Sequence, residues 1–404
     1  MKYYFLLFTL LTFCSISVGA ADDTALLSNE KQTILQKQQE IYDSEHEKLR
    51  TNWIAPINLN ATYEYDKSAL GDTHSDMKRV SASVSQDIFR SGGITYQIQY
   101  ADAKMRTNAV TLQMQTASLN QQLFTALLNV QKSLLQRDQS RLRLNNQEIA
   151  IFIKRHLYEA GKADITELNN ELMLKSSELK TYATAQYTIA QQRYEVAKIS
   201  DIDPENFPIP RFELIAKEDF LENQFDLQYA RSQSQTLEKL YDVTRSTYLP
   251  SLALNGNIGY QSYDPKELSS SYQGNTYSAG LSLTLPLVYN ASSTIQEAQA
   301  SYLQEIAATA DKRRELESTY RQTIEKLESY REYITITTNN LTLYDDLIQA
   351  TGAGVTAGTK TGYDLQTLKN SKQVEELEIK INEINIQIEL AKLHFSLKPS
   401  KEHL

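Results

Sequence analysis

The chain has 404 residues and a formal net charge of −9, with 41 basic against 50 acidic side chains and only 13 Gly and 8 Pro. An acidic balance of this size argues against a nucleic-acid partner and gives no attraction to anionic lipid. Beyond the first residues no stretch approaches the ~18 consecutive apolar residues of a membrane helix, so any membrane contact has to be made by strands, whose alternation hides them from hydropathy.

Residues 1–20 read as a secretory signal: Lys2, the apolar run Tyr3–Phe13, then the small residues Val18-Gly19-Ala20 before Ala21-Asp22-Asp23. The run is shorter than the ~20 residues that span a bilayer. Cleavage is expected after Ala20. The single cysteine, Cys14, lies inside the segment, and Phe13 before it is too bulky for a lipoprotein signal. The mature chain is therefore expected to have neither disulfide nor thiolate chemistry.

The next elements come in a fixed order. Pro56 precedes a strand pattern at Asn58–Tyr65, and a polar loop around Gly71-Asp72-Thr73 leads to a second at Val80–Phe89. Ile94–Ala160 then runs without Gly or Pro, which as one helix is on the order of 100 Å long. Gly161 marks a turn, and Lys162–Asp203 forms a shorter helical stretch. A segment with Pro204, Pro208 and Pro210 follows.

The order then recurs: Pro250, strands at Ala253–Tyr260 and Tyr277–Val288, a long stretch Leu287–Thr351, glycines at 352, 354, 358 and 362, and Tyr363–Lys398. The second loop runs from Asp264-Pro265 to Gly274-Asn275. The offset is 195 at the first strand (Leu59/Leu254, Asn60/Asn255, Tyr65/Tyr260) and 197 at the turn (Gly161/Gly358, Leu168/Leu365). A duplication is expected. Its parts are a signal (1–20), a first repeat (21–203), a linker (204–222), a second repeat (223–398) and a short tail (399–404).

Helices this long must pack along their length on other helices. Val374, Leu377, Ile381, Ile384, Ile388, Ala391 and Phe395 step by three and four, an a/d seam that predicts a left-handed supercoil. A second line, Ile379, Ile386, Leu390, Leu393 and Leu397, is offset from it. Two seams on one helix permit a neighbour on each side, so that helices close into a cylinder. Ile165, Leu168, Leu172, Leu179, Tyr182, Ile189 and Val196 are the counterpart in the first repeat. A solvated bundle satisfies the helices equally well.

The four strand segments alternate with period two, and Tyr63, Tyr65, Tyr260, Tyr263, Tyr272 and Tyr277 cluster near their ends as an interfacial girdle does. Four strands do not close a sheet, and open edges do not sit in lipid. Membrane strands therefore require several protomers to share one barrel. The competing arrangement is a small periplasmic sheet on a helical bundle; the duplication and the hairpin placement favour the barrel.

Signatures of catalysis are missing. The histidines at 46, 74, 156, 394 and 403 have no metal-ligand spacing. Neither a phosphate-binding Gly-rich loop nor Gly-x-Ser-x-Gly occurs, and Gly352-x-Gly354 reads as a turn. The expectation is a non-enzyme without cofactor.

Five segments carry a resemblance to the TolC-like outer membrane efflux protein family over nearly the whole mature chain. Tyr248-Leu249-Pro250-Ser251-Leu252 resembles the family's helix-to-strand entry. Gln86-Asp87-Ile88-Phe89-Arg90-Ser91-Gly92-Gly93 resembles its strand-to-helix exit, with Asp87 in place of Pro, and Leu285-Pro286-Leu287-Val288-Tyr289-Asn290 keeps the proline without the glycine pair. Ala357-Gly358-Thr359-Lys360-Thr361-Gly362-Tyr363-Asp364-Leu365 and Glu159-Ala160-Gly161-Lys162-Ala163-Asp164-Ile165-Thr166-Glu167-Leu168 resemble the two helix-turn-helix tips.

The resemblance implies an α+β membrane protein in the outer membrane of a Gram-negative bacterium. Each protomer gives four strands to a trimeric 12-stranded β-barrel, and long coiled-coil helices form an α-barrel through the periplasm. A belt comes from the segment between repeats, here Ser200–Glu222. The implied partners are two further protomers, outer membrane lipid, a periplasmic adaptor (membrane fusion) protein and an inner-membrane efflux pump or secretion ATPase. The channel would pass small molecules, metal ions or proteins. Asp364 matches an acidic ring at the periplasmic aperture and Lys360 a basic bridge residue, with Glu167 as its candidate partner. The second acid of the family falls on Thr367 and the aromatic bridge on Val355. Asp364 also reads simply as a helix-start carboxylate. The turns Ala160-Gly161 and Ala357-Gly358 are the implied adaptor-docking sites. The alternatives are a periplasmic coiled-coil adaptor, which should carry one helical hairpin, and a helical scaffold without channel activity.

Overall fold

The structure, a computed structural model, describes residues 24–68, 73–265 and 271–398. The expected signal with its cleavage site and Cys14, the tail 399–404 and the centres of both hairpin loops lie outside them. The elements are α1 (Asn29–Thr51), β1 (Asn58–Ser68), β2 (Thr73–Phe89), α2 (Gly93–Glu159), α3 (Ile165–Ala197), α4 (Lys217–Asn223), α5 (Phe225–Ser246), β3 (Ser251–Pro265), β4 (Tyr272–Thr284), α6 (Ala291–Thr356) and α7 (Gly362–Phe395). The series α1-β1-β2-α2-α3 is matched element for element by α5-β3-β4-α6-α7, and α4 stands between them. Helices α2 and α6 are 67 and 66 residues long.

The strands outrun their local β-propensity. β1 and β2 stay in antiparallel register from Asn58↔Ser83 to Ser68↔Thr73, so pairing extends both into the stretch read as loop. β4 ends at Thr284 instead of Val288, two residues before Pro286, which has no N–H for a ladder. Gly352 and Gly354 are not a turn: they lie in the last turns of α6, and the chain reverses at Ala357-Gly358. Two glycines weaken a helix without ending it when tertiary packing holds it.

The chain forms two compact units. The first contains Ile34–Gln115, Phe212–Arg331 and the residues from Leu393 onward, and so holds the whole sheet. The sheet is antiparallel with order β1-β2-β3-β4. Its helical part has a core of Phe220, Leu221, Leu227, Leu316, Tyr320 and Leu393. Tyr320 satisfies its hydroxyl there by donating to the carbonyl of Ile215 at 2.8 Å. The end of α7 pairs with the start of α5: the Phe225 amide donates to Ser396 O at 3.0 Å and the Lys398 amide to Asn223 O at 3.0 Å. α1 is tied to α2 by His46–Asp102 and by Asn108 donating to Glu45, each at 2.8 Å.

The strand-to-helix exit explains its two glycines separately. Gly92 adopts φ +87°, a left-handed conformation that favours glycine. Gly93 has an ordinary φ but meets α5: a Cβ there would stand 2.7 Å from Ser246 Oγ, whose hydroxyl is held by Val243 O.

The second unit contains Thr116–Arg211, Glu332–Lys392 and residues 24–33. Leu123, Leu127 and Val130 of α2 are fully buried, and Phe124 packs edge-on against Phe207. Val374, Ile381, Ile388 and Ala391 of the expected seam on α7 are buried, as is Leu390 of the second line. On α3, Ile189 and Val196 are buried while Ile165, Leu172 and Leu179 stay exposed. α2 and α7 interlock through amides: Gln139 donates to Val374 O at 3.0 Å and to Glu378 at 2.8 Å, and Asn370 donates to Asn146 at 2.8 Å.

Gly93→Ala should lower stability by about 1–3 kcal/mol, the cost of forcing a methyl into a packed contact. Ser246→Gly in the same chain should recover most of it. Thermal midpoints of the two variants in detergent check the pair; a neutral Gly93→Ala would mean the helices separate freely at this point.

Candidate functional site: an amphipathic sheet and two helical turns

The hydrogen-bonded rows of the sheet assign each residue to a face. Leu59, Ala82, Ile258 and Tyr277 share one row, and Ala61, Val80, Tyr260 and Asn275 the next but one. Asn275 apart, they make one face apolar together with Tyr63, Val84, Leu254, Leu281 and Leu283; from the row of Tyr63 onward the same face also carries Lys78, Ser262 and Gln273. The other face carries Asn60, Thr62, Glu64, Ser81, Ser83, Asn255, Asn257, Thr276, Ser278 and Ser282. The apolar face is bare: Leu59 is 80% exposed, Ile258 66%, Leu283 75% and Tyr277 85%. In water such a continuous patch is costly, and it marks a surface meant for another medium or partner. The polar face is cross-linked, with Ser85 donating to Asn255 at 2.6 Å and Asn255 donating to Ser282 at 2.9 Å.

The tyrosines divide between the faces. Tyr63, Tyr65, Tyr260 and Tyr277 lie on the apolar face, as a girdle requires. Tyr263 and Tyr272 are cross-strand partners on the polar face, their rings 5.5 Å apart, and do not belong to it. Among the described residues no helix is long and apolar enough to cross a membrane.

The two helical turns close alike. Gly161 (φ +68°) and Gly358 (φ +74°) each end a long helix in a Schellman motif. In the first, the Gly161 amide donates to Tyr158 O at 2.9 Å and the Lys162 amide to Leu157 O at 2.8 Å. In the second, Gly358 donates to Val355 O at 3.1 Å and Thr359 to Gly354 O at 2.9 Å. A Cβ at either glycine would meet nothing, so both are required for their backbone conformation alone. Phe152 of α2 lies 5.1 Å from the ring of Tyr363 on α7, which brings the first turn's helix against the second's. That contact has no periodic signal in the sequence and was not expected.

An ion-pair ladder runs beside the turns. Glu148 and Lys175 join α2 to α3 at 2.8 Å, and Asp345 and Lys372 join α6 to α7 at 2.7 Å, the same positions at an offset of 197. One rung is not repeated. Glu167 pairs with Lys154 across the first turn at 2.5 Å, in place of the expected partner Lys360. The equivalent of Lys154 in the second repeat is Thr351, so no lysine stands there for Asp364, the equivalent of Glu167.

Asp364 turns to its own helix instead. Its carboxylate accepts from the Thr361 amide and hydroxyl, both at 2.8 Å, and its amide donates to Thr361 Oγ1 at 3.2 Å, a reciprocal capping box. The Thr361 bonds, with a smaller contribution from the charge of Lys360, hold its carboxyl below the ordinary value of 3.8. The helix-start reading is thus realised, and the carboxylate keeps its charge. Lys360 folds over Gly354, where a Cβ would come within 2.8 Å of its Cγ. Val355 is a carbonyl acceptor in the turn, and Thr367 presents its carbonyl to Asn146 at 3.4 Å.

With this geometry in place, the comparisons are consistent. Residues 217–394 match the outer membrane efflux protein family. No curated protein sequence matches the chain. The outer membrane protein VceC of Vibrio cholerae superposes with a TM-score of 0.68 at 14% identity, over 91% of this chain and 93% of that one. The CmeC outer membrane channel of Campylobacter jejuni gives 0.69 at 12%, over 94% and 86%. The open state of the MtrE outer membrane channel of Neisseria gonorrhoeae gives 0.67 at 16%, over 90% and 85%. At these identities the shared property is the fold. The TolC-like character read from the motifs is borne out, by the family match in the second repeat and by the fold along the chain.

Gly161→Ala and Gly358→Ala should each cost about 1–2 kcal/mol, the penalty of a left-handed Cβ. Asn at the same positions should cost less, because its side chain tolerates that conformation. Urea unfolding followed by circular dichroism tests this; Ala and Asn variants of equal stability would show that φ is not the constraint.

Proposed function

We propose that the chain is the exit duct of a tripartite efflux or type I secretion system: a homotrimeric channel in the outer membrane of a Gram-negative bacterium that extends into the periplasm. The observation that carries this reading is the bare apolar face of a sheet whose other face is polar and whose two edges are open. In hydrocarbon an apolar face is stabilising, but an unpaired strand edge costs several kcal/mol per group. Three copies supply twelve strands and remove every edge.

The helices support the same reading. Ile165, Leu172 and Leu179 on α3 and Ile336, Leu343 and Leu347 on α6 are exposed apolar residues at heptad-compatible spacing, suited to helices of neighbouring copies. A duct without an energy source takes cargo from an inner-membrane pump or secretion ATPase through a periplasmic adaptor. The turns at Ala160-Gly161 and Ala357-Gly358 are its docking points. Cargo is small molecules, metal ions or proteins, and the chain has no enzymatic step. At the aperture, three copies of Asp364 form a cation-preferring constriction, because this acid lacks the lysine that neutralises Glu167. Lys360 bounds the same turn. An adaptor or scaffold is the weaker reading, since neither requires two amphipathic hairpins.

Light scattering of the detergent-extracted protein should give a trimer, and the trimer should conduct in planar bilayers. A monomer or dimer soluble without detergent and without conductance would overturn the channel.

Asp364→Ala should lower the cation preference of single channels, and so should Thr351→Lys, which supplies the missing rung. Because the folded-state pKa of Asp364 lies below its ordinary value, its helix-capping contribution is present above that value and is lost as pH falls through the depressed one. Selectivity should therefore fade on acidification, as the three carboxylates take up protons. Unchanged selectivity in both variants removes Asp364 from the constriction.

A further inference from the structure

We propose that β4 of one protomer pairs antiparallel with β1 of the next in one defined register, with Tyr277 opposite the partner's Tyr65 and Leu283 opposite the partner's Leu59. This rests on the trimer reading above and specifies the seam that closes it.

Three constraints select the register. The first is parity. Side chains alternate between faces along a strand, so the apolar face stays continuous across the seam only if odd-numbered β4 residues meet odd-numbered β1 residues. The inward or outward direction of each backbone amide alternates with the same period and demands the same. Following one row, Leu59–Ala82–Ile258–Tyr277, across the protomer, the next residue must then be Leu59 of the partner displaced by an even number.

The second is tilt. Barrel strands lean about 35–45° from the axis. Four strands about 4.8 Å apart at that lean displace the row by roughly 13–19 Å, or about 4–6 residues at ~3.3 Å each. The even values are four and six. Only an upward displacement suits the strand lengths. β1 has 11 residues and β4 has 13; upward shifts of four or six pair every residue of β1, whereas the opposite shifts leave at most three pairs.

The third is the girdle. A row that climbs six residues over four strands climbs about 1.5 per strand. Tyr260 lies two strands along the row of Ala61 and so stands level with position 64 of β1; Tyr277, three strands along the row of Leu59, stands near position 63.5. Tyr63 and Tyr65 mark their own levels. The four lipid-face tyrosines then fall within two residues of one another, against six with no climb and three with a climb of four. An aromatic belt at one interface requires such a common level. The shift of six also sets Tyr277 against the partner's Tyr65 across the seam, an aromatic cross-strand pair of a kind that stabilises sheets.

Cysteine pairs on the polar face read the register directly, because opposed Cα atoms lie within disulfide reach and diagonal ones at about 7 Å do not. In outer membranes oxidised with copper phenanthroline, the full chain carrying Glu64→Cys with Ser278→Cys should give covalent dimers and trimers on non-reducing gels. Its yield should be several-fold above that of Glu64→Cys with Thr276→Cys, which reports a shift of four, or with Gly280→Cys, which reports eight. Thr62→Cys with Gly280→Cys reports the same shift of six and replaces the first pair if that fails to assemble. A protein that is trimeric by mass but cross-links best through Thr276→Cys, or through none of the pairs, overturns the register while leaving the trimer standing. A monomeric protein overturns the reading beneath it.

Discussion

The backbone of an open sheet edge has to be paired, and the rest of this molecule is arranged around that requirement. β1 and β4 are the outer strands of a sheet with one bare apolar face. A soluble protein with such a sheet would cover the face with a helix or blunt the edges with charge. Neither device is present on the apolar face between Leu254 and Tyr260, whose rows carry no charged residue and, apart from Gln86 and Asn275, only apolar residues and glycine. The edges are instead of similar length and matched parity, the condition for one copy to complete another. The proposed function follows from that condition more than from any single side chain.

The helices solve a different problem. A helix of 67 residues gains little from propensity alone and has to be held in register by its neighbours. Apolar seams supply the attraction, but heptads slide on one another at low cost. The buried amides of Gln139 and Asn370, with the half-buried Asn146, oppose sliding, since a displaced helix would leave them unpaired in the interface. A buried Asn that specifies register is a known device of coiled coils. Here such amides fix α7 against α2 within one unit.

Much of this was legible in the chain. Glycine and proline punctuation located every long helix to within a few residues, because a run without either has few alternatives. The α7 seam was readable from Val374 to Ala391 because burial follows period. Strand ends were not, since cross-strand pairing carried β1 to Ser68 and β2 back to Thr73 through residues of poor β-propensity. Gly352-x-Gly354 misled because a local signal was weighed without the helix packing that overrides it. Two tyrosines were assigned to the girdle by nearness in sequence, while register puts Tyr263 and Tyr272 on the opposite face. The contact of Phe152 with Tyr363 joins positions over two hundred residues apart and leaves no trace in periodicity.

The most consequential detail is a difference between the two halves. Both carry the rung Glu148–Lys175 or Asp345–Lys372, so the ladder belongs to the common plan. Both carry an acid as the third residue of the helix, Glu167 in α3 and Asp364 in α7. Only the first half keeps the opposing lysine, Lys154; the second has Thr351. Glu167 is thereby engaged in a contact between adjacent helices, where an exposed pair contributes little. Asp364 is left charged at the start of α7, held in place by Thr361 rather than by a cation. In the proposed trimer a threefold axis would multiply that distinction: three paired glutamates would add little field, three fixed aspartates at one level a strong one. On the proposed function, asymmetry between the halves would be the route by which a structural turn and a selective one arise from the same hairpin.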